Sequence, residues 1–181
     1  MTREQLEHII RAAGRITNEY EFVIVGSQSL LGAKPNPGSE FTASMEADIY
    51  PLHAPEKSHD IDVHIGEGSR FQEVYGYYAE GVDPSTAKLP SGWMDRVHKV
   101  QNENTDLFIG YCIDPLDLFL AKAYASRPKD RDFCIAMLKH GFVQLGKALE
   151  HADAMPLDAE EMRRLRATVR RWAKEVPAAS G

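Results

Sequence analysis

Gly26-Ser27 closes the apolar run Phe22-Val23-Ile24-Val25, and two acidic segments follow it. They are Glu46-Ala47-Asp48-Ile49-Tyr50 and Asp60-Ile61-Asp62-Val63-His64-Ile65. Side chains of a strand alternate between faces. Read as strands, the first puts Glu46, Asp48 and Tyr50 on one face, and the second puts Asp60, Asp62 and His64 on one face. Carboxylates set a few ångström apart repel unless a cation or a proton lies between them. The pattern therefore predicts a divalent cation site that handles phosphate. Glu46, Asp48 and Asp62 are the expected ligands of Mg²⁺ or Mn²⁺, which prefer oxygen donors. A two-metal phosphoryl-transfer site is the chemistry such a set serves.

Two other readings of these residues exist. His59, His64 and the two aspartates could form a zinc or manganese phosphohydrolase site. On a strand, however, His59 and His64 face opposite ways. The acidic stretches could also be solvated strand faces. A glycine after a buried strand permits a tight turn, and N–H groups at the next helix start can bind phosphate. Gly26 and Ser27 are thus candidate nucleotide-binding residues. No GxxxxGK[ST] occurs, so the chain has no P-loop, and Gly66-Glu67-Gly68 lacks the third glycine of a dinucleotide fingerprint.

A basic cluster stands further on, in Ala121-Lys122-Ala123-Tyr124-Ala125-Ser126-Arg127-Pro128-Lys129-Asp130-Arg131-Asp132. Lys122 sits among small and apolar residues, where it could neutralise a triphosphate while Arg127 or Lys129 grips oxygens. Asp130 and Arg131 read as charged helix surface. The aromatic residues Trp93, Tyr75, Tyr77 and Tyr78 read as core packing, and the arginines of the last helix as a solvated face.

The elements that must hold these residues are legible in the periodicity. Thr2-Arg3-Glu4-Gln5 is a capping box. Leu6, Ile9, Ile10, Ala13 and Ile16 then give an amphipathic helix over 3–17. Phe22–Val25 is a buried strand, Ser27–Leu31 a short helix, and 32–44, with Pro35 and Pro37, a loop. The two acidic strands come next. A helix is expected over Arg70–Tyr78, and strands over Arg96–Gln101 and Leu107–Ile113 form a hairpin. Asp114-Pro115 starts a helix, with Asp at the cap and Pro at its first position. Further helices are expected from Pro128 to about His140, from 143 to 152, and over 158–174, the last capped by Asp158.

The composition limits the partners. The 181 residues carry a formal charge of −6, so the overall field does not recruit nucleic acid, and an RNA substrate needs a local basic patch or a metal. Cys112 and Cys134 lie in apolar contexts without CxxC spacing, which predicts buried reduced thiols and a cytoplasmic location. Arg3, Glu4, Glu7 and His8 interrupt any apolar leader, and no membrane association is expected.

The segments Val23-Ile24-Val25-Gly26-Ser27-Gln28-Ser29-Leu30-Leu31-Gly32 and Ser44-Met45-Glu46-Ala47-Asp48-Ile49-Tyr50-Pro51 resemble the nucleotidyltransferase-like proteins of the polymerase-β superfamily. Ile65-Gly66-Glu67-Gly68-Ser69, Leu89-Pro90-Ser91-Gly92-Trp93 and the stretch from Lys122 to Asp132 are similar to the same proteins. The resemblance covers nearly all of 5–145. The Lys122 to Asp132 block also resembles the abortive-infection nucleotidyltransferases of type IV toxin–antitoxin systems.

The resemblance implies roles residue by residue. Gly26 and Ser27 match the turn that holds nucleotide phosphates. Glu46 and Asp48 match the metal-binding acidic pair, with Glu where the superfamily usually has Asp, and Asp62 matches the third carboxylate. Lys122 and Asp132 match a later catalytic motif. The expected fold is α/β (α+β), a small mixed sheet flanked by helices over 1–113, with a helical part over 114–176 and a disordered tail over 177–181. The expected activity is transfer of a nucleoside monophosphate from an NTP to tRNA, a protein or a small molecule. The alternatives are a catalytically silent module that binds a nucleotide or partner protein, and a metal-dependent phosphohydrolase.

Overall fold

The computed structural model describes residues 1–176; the tail expected over 177–181 lies outside the described residues. The chain divides into two compact units, one made of Met1–Ala87 and Met94–Asp114, the other of Lys88–Trp93 and the chain from Pro115 onward.

The first unit is a five-stranded mixed sheet with helices. Helix α1 (Arg3–Thr17) opens it, its cap formed by Thr2 and Gln5 as the sequence predicts. Strand β1 (Glu21–Val25), helix α2 (Leu30–Ala33) and strand β2 (Glu46–Pro51) follow. Next come α3 (Ser58–Ile65), α4 (Arg70–Tyr75), β3 (Tyr78–Gly81), β4 (His98–Val100) and β5 (Ile109–Cys112). The strand order is β3-β2-β1-β5-β4. β1 runs antiparallel to β2 and parallel to β5, while β3 runs parallel to β2. β4 and β5 form the expected antiparallel hairpin.

The alternation of side chains divides the sheet into two faces. Phe22, Ile24, Ala47, Ile49, Ala79, Val100 and Cys112 share one face and are buried against Leu6, Ile9, Ile10 and Ala13 of α1 and Ile61 and Ile65 of α3. Burying the Leu, Ile, Val and Phe side chains among them stabilises a fold by about 1.5–3 kcal/mol each, before conformational entropy is subtracted. Glu46, Asp48, Tyr78 and Glu80 emerge on the opposite face.

Two expectations are corrected. The segment Asp60–Ile65 is not a strand; it lies in α3. Its apolar residues fit either period, but only Ile61 and Ile65, four apart, are buried, while Val63 is 58% exposed. That is the signature of one helical face. The helix expected to reach Tyr78 stops at Tyr75, capped by Gly76 in the left-handed region, and Tyr78 begins β3.

Helix α3 closes the outer edge of β3. Asp62 Oδ1 accepts the Gly81 N–H at 2.6 Å, and the Ser58 hydroxyl donates to the Val82 carbonyl at 3.0 Å. These bonds satisfy backbone groups that an edge strand leaves unpaired. The approach is close, since a Cβ on Gly81 would stand 2.0 Å from the Ser58 carbonyl oxygen.

The second unit holds α5 (Pro115–Ala125), α6 (Pro128–Lys139), α7 (Leu145–His151) and α8 (Ala159–Lys174). The sequence predicts all four within a few residues. α8 packs against α5, α6 and α7. Among the described residues no helix is long and apolar enough to cross a membrane. Cys112 and Cys134 are buried free thiols, as expected, and burial pushes the Cys112 thiol up to about 12.

Candidate active site

The parallel pairing of β2 and β3 sets Glu46 beside Tyr78 and Asp48 beside Glu80. All four side chains share one face of the sheet, because both strands alternate in phase. Glu46, Asp48 and Glu80 each present a carboxylate oxygen within 4.8 Å of the other two. Glu46 and Asp48 are half-buried, and Glu80 is exposed. Three oxygen donors at this spacing form a hard set that suits Mg²⁺ or Mn²⁺. Without a cation, the like charges disfavour their own proximity.

Gly26 abuts the triad. It follows β1 with φ +65° and ψ −168°, a conformation that side chains other than glycine avoid. A Cβ there would stand 1.7 Å from Asp48 Oδ2. The space a side chain would fill is occupied by the carboxylate. Ser27 begins the following helical turn, which the Ser29 hydroxyl braces by donating to the Gly26 carbonyl at 2.8 Å. The sequence expectation of a turn at Gly26-Ser27 running into a short helix is met, and the turn lies directly beside the acidic strand.

The wall of the cleft comes from β2, β3 and the segment around α3. Glu46, Asp62, Glu67, Tyr78, Ala79 and Glu80 line it. The Tyr78 hydroxyl donates to Glu46 Oε2 at 3.1 Å. Burial, the bond to Glu46 and the neighbouring acids push this phenol up to about 12, so it remains a proton donor at neutral pH. Asp62 therefore reaches the cleft, but from a helix, with one oxygen on the Gly81 amide. The converging third carboxylate is Glu80. The sequence reading extends this helix to Tyr78 and so leaves Glu80 unplaced, whereas α4 stops at Tyr75 and β3 starts at Tyr78. Gly76 followed by Tyr77-Tyr78-Ala79-Glu80-Gly81 carries the signal: a helix stop, then aromatic residues with an acid in the alternating position.

The histidines do not gather there. His59 and His64 are exposed on α3, and His64 Nδ1 meets the Asp60 carbonyl oxygen at 2.8 Å. Among the described residues, no group of three histidine, cysteine or acidic side chains at metal-binding distance includes either of them.

In the helical unit, Lys122 is buried and its ammonium meets Asp130 Oδ1 at 3.0 Å. It also lies 4.8 Å from the Phe133 ring centre. Arg127 Nε donates to Asp130 Oδ2 at 2.7 Å. Burial would raise the Asp130 carboxyl, but Arg127 and Lys122 hold it below its usual value. The expectation that Asp130 is solvated surface is thus corrected: it is fully buried at the start of α6, as the shared partner of two cations. Asp132 is exposed and pairs with Arg131 at 2.7 Å, and Lys129 is exposed.

A mixed sheet carrying paired acids beside a Gly-Ser turn, with helices on its other face, defines an α+β protein of nucleotidyltransferase-like fold. The family model described as nucleotidyltransferase of unknown function (DUF6036) matches residues 4–178, and the chain belongs to that family. No curated protein and no solved structure matches the chain.

Proposed function

We propose that the protein is a metal-dependent nucleotidyltransferase of the polymerase-β superfamily that moves a nucleoside monophosphate from an NTP to an acceptor hydroxyl. The convergence of Glu46, Asp48 and Glu80 beside Gly26 carries this reading. The oxygen-only donor set fits Mg²⁺ or Mn²⁺, with Glu46, Asp48 and Glu80 as the residues that would hold it and Asp62 on the cleft wall. A divalent cation bound there supplies neutralising charge at the α-phosphate and lowers the pKa of the acceptor hydroxyl.

The chain's own groups do the rest. The turn at Gly26 and Ser27 offers backbone N–H groups and a hydroxyl to the phosphates. The bare α-carbon of Gly26 leaves room for the Asp48 carboxylate against that turn. The acceptor hydroxyl gives its proton to water as its oxygen bonds to the α-phosphorus, the α–β anhydride bond breaks, and pyrophosphate leaves with the electron pair. The acceptor is tRNA, a protein or a small molecule. The resemblance to type IV toxins rests on the Lys122 to Asp132 block. In this chain the block joins Lys122 and Arg127 through Asp130.

Crystals soaked with Mn²⁺ and a non-hydrolysable NTP test the reading. An anomalous peak among Glu46, Asp48 and Glu80, with phosphates at Gly26 and Ser27, is expected. No peak at the triad at millimolar Mn²⁺ contradicts it. A bound nucleotide without turnover in solution favours the silent binding module instead.

A further inference from the structure

We propose that Tyr78 is a positioning residue of this site, holding the Glu46 carboxylate in the orientation that joins it to Asp48 and Glu80; the inference rests on the metal-site reading above. Four side chains form a square on the sheet face: Glu46 beside Tyr78, and Asp48 beside Glu80. Three of them are the converging carboxylates. The fourth, Tyr78, directs its hydroxyl at Glu46 Oε2 over 3.1 Å.

Glu46 needs such a brace. It has one more rotatable bond than the aspartate at the next site position, and a half-buried glutamate has several rotamers to lose. Repulsion from Asp48 and Glu80 favours the rotamers that swing it away. A hydrogen bond from a neutral donor to a carboxylate offsets that tendency and leaves the second oxygen free to face the cation. Tyrosine suits the task because its ring is rigid and its reach spans the cross-strand gap that the register creates. A group that orients a ligand in this way typically alters metal affinity by 10–100-fold.

Mn²⁺ alone is the probe, with free ion followed by electron paramagnetic resonance in titrations of the full chain. Tyr78→Phe keeps the ring and removes the hydroxyl. Its Mn²⁺ dissociation constant should rise about tenfold while the melting temperature stays within a degree or so. Glu46→Asp draws the carboxylate back from the phenol. In that background Tyr78→Phe should change Mn²⁺ affinity by less than about twofold, because the two residues act as one unit. Wild-type affinity in Tyr78→Phe, with binding lost in Asp48→Asn, overturns the role of Tyr78 and leaves the metal site standing. An equal loss from Tyr78→Phe in both backgrounds also overturns it, since the hydroxyl would then act other than through Glu46. Failure of the wild-type protein to bind Mn²⁺ overturns the metal site, and the positioning role with it.

Discussion

The Cβ that Gly26 lacks would stand 1.7 Å from Oδ2 of Asp48. The turn after β1 and the central carboxylate of β2 therefore occupy mutually exclusive space with any other residue at position 26. Gly26→Ala must move Asp48 and must also hold alanine at φ +65°. The backbone strain costs roughly 1–3 kcal/mol. The variant should show a lower urea midpoint and much weaker Mn²⁺ binding. An unchanged midpoint and affinity would mean that the turn is not coupled to the acid.

Asp130 should matter more for stability than any of its charged neighbours. Its carboxylate is fully buried and serves both Lys122 and Arg127. Asp130→Ala leaves the buried Lys122 ammonium without that carboxylate, a change that costs about 3–5 kcal/mol in comparable settings. Lys122→Met should cost less, because Arg127 still engages Asp130. Lys129→Ala, at an exposed position, should fall within about 0.5 kcal/mol of wild type. Urea unfolding of the three variants ranks them, and equal costs for Asp130→Ala and Lys129→Ala would contradict the pairing.

Acid should weaken the first unit through Glu7. Arg3 Nε donates to its carboxylate at 3.0 Å, Asn102 at 2.8 Å and Asn104 at 3.0 Å. Burial would raise this carboxyl, but the bonds from Asn104, Asn102 and Arg3 bring it below its ordinary value of 4.5. The native state thus holds this proton less tightly than the unfolded chain does. The stabilisation is fully present above pH 4.5 and is lost as pH falls through the lowered folded value. Glu7→Gln should be less stable than wild type at pH 7, and the gap should narrow as pH falls below 4.5. A gap that is constant with pH, measured by urea midpoints, would show that Glu7 is not held in this way.

Most of the fold was legible because its elements obey a single period. Leu6, Ile9, Ile10 and Ala13 admit only a helix, and Glu46 to Tyr50, with Ala47 and Ile49 between the acids, reads as a strand. The segment Asp60–Ile65 satisfied both periods, and its real task is tertiary. It caps the β3 edge through Ser58 and Asp62, a requirement invisible until β3 itself is placed. With β3 unplaced, Glu80 is not legible as a neighbour of Glu46 and Asp48, and Asp62 stands in its place in the expected carboxylate set. The basic block shows only its charge in the sequence. The buried Asp130 could not be told from the exposed Asp132 by residue type alone, since helical packing decides which carboxylate turns inward.

The acids at the sheet face are proposed to serve nucleotidyl transfer. Label from each α-³²P NTP, supplied with Mg²⁺ and cell extract, should pass to an acceptor with wild-type protein and release pyrophosphate. Asp48→Asn, which keeps the shape and removes the charge, should reduce the label at least about 100-fold, as loss of a group that stabilises transition-state charge does. Equal labelling by the wild type and Asp48→Asn would contradict the account.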